Sequence, residues 1–408
     1  MIKFILKKLT FIFLIFCSLT NAQNIKTVQL RPLQENNFVA IVPLGTTLEL
    51  SFDDLDADSK EYQYKIERKT HDWKKSRLLS SQFINGFDQN TIINVTNSFN
   101  TLQNYTHYKV QIPNTNTAIT KSGNYLISVL NTYDEVVFSR RFVLYEDKAI
   151  VPVSVVRSRN TKTLNTQQTV QFSVNYNGLR INNPNQEINV TILKNNNWQE
   201  TISNLSPTFY KPNQLLYTYT NKTNFWGGNE YLNFDSKLIR NTSLNIVKVL
   251  RDDIYHHYIY PFTYNKYRQY SYNPDINGQF LVRNLEVNNS NTEADYALMH
   301  FTLEVEEMFK EKELYIYGAF NNFTISDDNR MYFDPKTNTY RANILLKQGF
   351  YNYTFASVGK DNVLNTNEIN GSFFETENEY TVLVYYKPIG SLYDRVIGVG
   401  KGYFNQNN

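Results

Sequence analysis

The chain of 408 residues carries 41 Lys+Arg against 38 Asp+Glu and is 15% aromatic. The surplus of three positive charges sits in an expected leader, Met1–Ala22, as Lys3, Lys7 and Lys8, so the remainder is neutral and shows no basic cluster for a nucleic acid. The only cysteine, Cys17, leaves with that leader, which excludes disulfides, a thiol nucleophile and Cys-based metal sites.

Phe11–Phe16 is an apolar run too short to span a bilayer, and Thr20 and Ala22 occupy the −3 and −1 positions before Gln23. Residues 1–22 therefore read as a cleaved export signal. A lipoprotein is the rival, but bulky Phe16 precedes Cys17 where lipidation wants a small residue. No later apolar stretch reaches the roughly 18 residues of a spanning helix.

In chain order, the first alternating runs are Leu48, Leu50, Phe52 and Tyr62, Tyr64, Ile66. Val170, Phe172, Val174, Tyr176 and Ile188, Val190, Ile192 follow, then Tyr315 and Tyr317. This period of two predicts half-buried antiparallel strands. Asn85-Gly86, Ser122-Gly123, Asn177-Gly178, Asn277-Gly278 and Asn370-Gly371 supply turns between runs. Val305–Lys312 is the one short helix candidate. The pattern predicts an all-β chain of consecutive antiparallel immunoglobulin-like β-sandwiches. The expected boundaries are 23–148, 149–275 and 276–404, with the polar run Asn288–Thr292 near a linker and Asn405–Asn408 frayed.

Motifs for chemistry are weak. Asp53, Asp54, Asp56 and Asp58 suggest calcium, yet an EF-hand starting at Asp54 would want Gly and Glu where Ser59 and Lys65 stand. The acidic run reads instead as a solvated connection. His71, His107, His256, His257 and His300 have no zinc-like spacing, and adjacent His256 and His257 point to opposite strand faces. No nucleophile elbow, phosphate-cradling loop or HExxH occurs, so no catalytic, cofactor-binding or metal site is read and the chain is not taken for an enzyme.

Leu314–Phe355 resembles the early-set immunoglobulin-like module of glycogen-binding and glucan-branching proteins. The likeness rests on Gly318-Ala319-Phe320-Asn321-Asn322-Phe323, the strand Arg330–Asp334, and Gly349-Phe350-Tyr351-Asn352-Tyr353. Phe323 stands where that family has Trp. The resemblance offers an alternative function, a periplasmic or surface glycan-binding protein. An exposed aromatic platform would favour it, and a core-buried Phe323 would count against it.

A second resemblance covers about Ile25 to Phe404. It runs through Leu50–Asp56, Tyr62–Glu67, Asp72-Trp73, Phe83–Phe87, Ser98–Thr101, Tyr105–Tyr108, Ile119–Tyr125 and Arg140–Phe142. It continues with Gly227–Tyr231, Phe234-Asp235, Phe374–Tyr386 and Asp394–Gly398. In this order the segments resemble the plug protein of the type IX secretion system of Bacteroidetes. The resemblance implies a non-catalytic periplasmic subunit, without cofactor, that occludes the outer-membrane translocon barrel. It implies a monomer within the complex that meets the membrane only through the translocon and binds no nucleic acid. The candidate contact is the Asn224–Tyr231 loop, with Phe225, Trp226, Asn229 and Tyr231 as partner-binding residues. The alternative for Trp226 is a place in the second core.

Overall fold

The computed structural model describes residues 24–34 and 37–404. The expected leader and the expected frayed end lie outside the described residues. Strands dominate, and the two α-helical segments, Pro184–Glu187 and Ser290–Glu293, are four residues each. Among the described residues no helix is long and apolar enough to cross a membrane.

The first unit packs a four-stranded sheet on a five-stranded one. The former orders Ile25–Pro32, Leu48–Asp54, Thr106–Ile112 and Asn94–Asn97; the latter orders Ile41–Pro43, Val136–Tyr145, Gly123–Leu130, Gln63–Lys69 and Gln89–Thr91. Leu50, Phe52, Tyr64, Ile66, Tyr125 and Ile127 fill the space between them. Their alternate neighbours face away from this core, as a two-residue period requires.

The second unit faces two sheets built from distant parts of the chain. One contains Val153–Arg157, Gln167–Asn175, Gln214–Tyr217 and Phe209–Lys211, with Asn224–Trp226 paired beside Gln167–Asn175. The other orders Asn197–Ser203, Ile188–Lys194, Glu379–Tyr386 and Arg395–Tyr403. Its register runs from Ile188 opposite Tyr386 to Lys194 opposite Tyr380. The pairing crosses the boundary expected at 275/276, because alternation marks a strand's buried face but not its partner. Glycines on Arg395–Tyr403 allow the first half of the unit to lie close. A Cβ at Gly400 would sit 2.1 Å from the Val151 carbonyl oxygen.

Between those halves the chain builds a third unit on an 11-stranded, nearly closed sheet. Leu232–Asp235, Ile246–Arg251 and Tyr255–Ile259, expected in the second domain, belong to this sheet. Most pairs are antiparallel; Tyr255–Ile259 runs parallel to Tyr296–Glu304. Phe234, Met299, Phe301, Leu314, Ile316, Tyr351 and Phe355 form its core. The expected helix at Val305–Lys312 is a loop instead. There the Asn338 side-chain amide donates to the carbonyls of Val305 and Glu306 at 2.6 and 2.8 Å, holding the segment open.

Candidate docking surface and the joints that support it

The acidic run after Leu48–Phe52 is not a solvated connection throughout. Asp53 and Asp54 are fully buried. Lys60 pairs with Asp54 at 3.1 Å and with Asp56, while the Tyr62 hydroxyl donates to Asp54 at 2.8 Å. Asp53 points the other way, into the joint between the first and third units. Lys347 Nζ lies 2.7 Å from its carboxylate, Tyr296 donates to it at 2.7 Å, and His107 Nδ1 approaches at 2.6 Å. Burial pushes the Asp53 carboxyl up, but Lys347 and His107 outweigh it and hold the pKa below the usual value. Burial dominates at Lys347 itself, whose pKa falls. A buried pair with hydrogen bonds on both partners fixes relative position more than it adds net stability.

The polar run expected near a linker is part of the same joint. The Lys347 ammonium also donates to the Asn291 carbonyl at 2.6 Å, and the Phe99 amide donates to Thr292 at 2.9 Å. Asp295 accepts the amides of Leu102 and Gln103 at 2.8 and 3.2 Å. Short backbone-side-chain bonds of this kind leave little room for a hinge.

The first unit is joined to the second through Asp394. Its carboxylate accepts the His71 amide at 2.6 Å and faces Arg68 at 3.6 Å; burial raises its pKa, and His71 and Arg68 bring it below the usual range. Nearby, Trp73 and Trp198 meet edge to face at 4.7 Å, with the Arg141 guanidinium 4.5 Å over Trp73. Tyr385, buried on the second unit, donates to Asn124 at 3.0 Å.

The Asn224–Tyr231 segment carries the chain from the second unit into the third, and its four candidate contact residues separate. Phe225 is 7% exposed and packs against Tyr380. Its strand neighbour Trp226 faces out, 49% exposed, at the rim of an open groove shared with Ile202, Val363 and Leu364. Asn229 is half-buried and donates to the Asn370 carbonyl at 2.9 Å. Tyr231 is buried among Tyr315, Tyr317 and Phe323, where desolvation pushes its phenol pKa well up. Only Trp226 of the four is thus placed as an exposed aromatic anchor. Gly227 is required by close approach: a Cβ there would lie 1.9 Å from the Phe373 carbonyl oxygen.

The glycan alternative depended on Phe323, and this ring is 7% exposed, tilted on Tyr317 at 5.5 Å. His257 is buried and bonds the Ile239 carbonyl at 2.8 Å, while His256 faces outward to His300 at 2.9 Å. The residues that sequence reading missed are the joint partners Lys347, Tyr296, Arg68 and Trp198. Asp53, Trp73 and Asp394 lay in noted segments, but one sequence offers no signal for what they touch.

Residues 25–146 match the family of the type 9 secretion system plug protein 1st domain. The plug-domain match thus covers the first sandwich from its opening strand to the end of Val136–Tyr145. Across nearly the whole chain, the structure is similar to a hypothetical protein from Parabacteroides merdae ATCC 43184. That similarity has a TM-score of 0.88 and 29% identity, covering 93% of this chain and 97% of the other. The partial N-terminal region of an enterococcal surface protein aligns over 94% of each chain with a TM-score of 0.21 and 7% identity, too low to inform the fold. No curated protein is significantly similar to this chain.

Proposed function

We propose that this protein is a non-catalytic periplasmic plug that occludes the outer-membrane translocon of the type IX secretion system. The observation that carries the reading is the plug-domain match over residues 25–146. The architecture is compatible with it. A body that blocks a wide pore must resist deformation, and buried charge and aromatic contacts join the three units at Asp53–Lys347, Arg68–Asp394 and Trp73–Trp198. Release of such a plug would act through competition for, or displacement of, a large interface rather than through a ligand pocket. Trp226 is the residue assigned to partner contact, because a half-exposed indole beside a groove supplies large contact area with few rotatable bonds.

The test is outer-membrane permeability. Deleting the gene should admit large antibiotics that are normally excluded, and deleting the translocon barrel as well should abolish the effect. Leakage that persists without the barrel, or no leakage in the single deletion, would overturn the reading.

A further inference from the structure

A cleft of about 350 Å³ opens where all three units meet. Arg31 and Arg140 come from the first unit, Trp198 from the second, and Gln279 and Asn322 from the third. Arg141 borders it too, although its guanidinium is already stacked on Trp73. Arg140 and Arg141, adjacent on Val136–Tyr145, both line the cleft, at a stretch ahead of the strand's pairing with Ile41–Pro43, which begins at Val143. Among the described residues, no Asp or Glu lines this cleft.

We propose that the cleft binds an anionic group, a carboxylate or a phosphate, with Arg140 as the principal anchor and Arg31 as the second. Arg140 is the least compensated of the three. Its one side-chain hydrogen bond is to the Ser139 carbonyl at 3.0 Å, and its guanidinium carbon lies 5.4 Å from the Phe138 ring centroid. Burial lowers its pKa to about 10, with no neighbouring charge acting in the opposite direction. Arg31, by contrast, is lowered by burial and partly restored by Glu49. The adjoining cavity, which Arg140 also borders, contains Glu135 and Asp328, but neither carboxylate acts on the Arg140 charge, and Lys26 pairs with Asp328 at 3.1 Å. The remaining N–H donors of Arg140 are thus a planar fork suited to two oxygens of one anion. The surrounding Gln279 and Asn322 amides can add neutral donors, and Trp198 gives the site an apolar wall. Because the walls come from three units, an occupant stabilises the whole body, and thermal unfolding reports it.

The experiment titrates the full protein with inorganic phosphate, with citrate and with an acetylated, amidated hexaglutamate peptide, each against sodium chloride of equal ionic strength. The expected result is a saturable rise in unfolding midpoint with at least one probe, and affinity reduced at least tenfold in Arg140→Gln. The unliganded midpoint of Arg140→Gln should equal or exceed the wild type, since an uncompensated half-buried charge is removed. Arg31→Gln, with its partial Glu49 compensation, should bind several-fold more weakly and covers the case of a misfolded Arg140 variant. Response to phosphate or citrate alone assigns a free small anion; response to the peptide alone assigns an acidic segment of a partner. Absence of saturable binding by all three probes, or unchanged affinity in both variants, overturns the proposal. Neither outcome bears on the permeability test above.

Discussion

Replacing Lys347 with Met tests the joint between the first and third units. The substitution keeps the side-chain length but removes the ammonium 2.7 Å from Asp53 and 2.6 Å from the Asn291 carbonyl. Asp53 would keep His107 and Tyr296 but lose its permanent positive partner within a fully buried site. Breaking a buried pair from one side costs about 3–5 kcal/mol. For a cooperative body of this size the unfolding entropy is roughly 0.8 kcal/mol per kelvin, so the midpoint should fall by about 4–6 °C. Scanning calorimetry measures this, and Asp53→Asn combined with Lys347→Met should recover part of the loss because no unpaired charge then remains. A single-variant shift below about 1 °C, or a double variant worse than the sum of the singles, would refute the assignment of Asp53–Lys347 as a fastened joint.

Asp275 accepts the amides of Tyr231 and Asn277 at 2.5 and 2.6 Å, and burial pushes its pKa up to about 7. The folded state therefore holds a proton that the unfolded chain, titrating near about 4, has already lost. This group's contribution to stability falls as pH rises from about 4 to about 7 and is level above that; Asp275→Asn should flatten that part of a midpoint-versus-pH curve. Phe225→Ala should cost about 3–5 kcal/mol in denaturant unfolding, whereas exposed Trp226→Ala should stay within about 0.5 kcal/mol yet weaken co-purification with outer membranes. Gly227→Ala should lower stability by roughly 1–3 kcal/mol, read by the same unfolding curve, as its methyl group displaces Phe373.

Much of the strand content was legible because burial and alternation coincide. Leu48, Leu50 and Phe52 all face the first core, as do Val190 and Ile192 in the second. The same logic misled at Asp53 and Asp54, where the run ends in two buried carboxylates, one neutralised by Lys60 six residues on and the other by distant Lys347. Alternation also separates Phe225 from Trp226 but cannot say which of them points inward. What composition and spacing could not disclose was partnership. Nothing in Ile188–Lys194 specifies pairing with Glu379–Tyr386, and nothing in Arg140 reveals that three units would surround it. Those facts arise from chain closure over long separations, which no local pattern records.

That distant pairing imposes an order of assembly. The first sandwich is built wholly from residues 25–145 and can close while later segments are still being made. The second cannot: Val170, Phe172, Val190 and Ile192 wait with an uncovered apolar face until Glu379–Tyr403 arrives. The third sheet, nested between the two halves, has all its strands before the second half of the unit that encloses it in sequence. During that interval the free edge of Ile188–Lys194 is a template for incorrect strand addition. A nascent chain therefore passes through a stage in which its middle is the aggregation-prone part, and shielding by a holding chaperone matters most there.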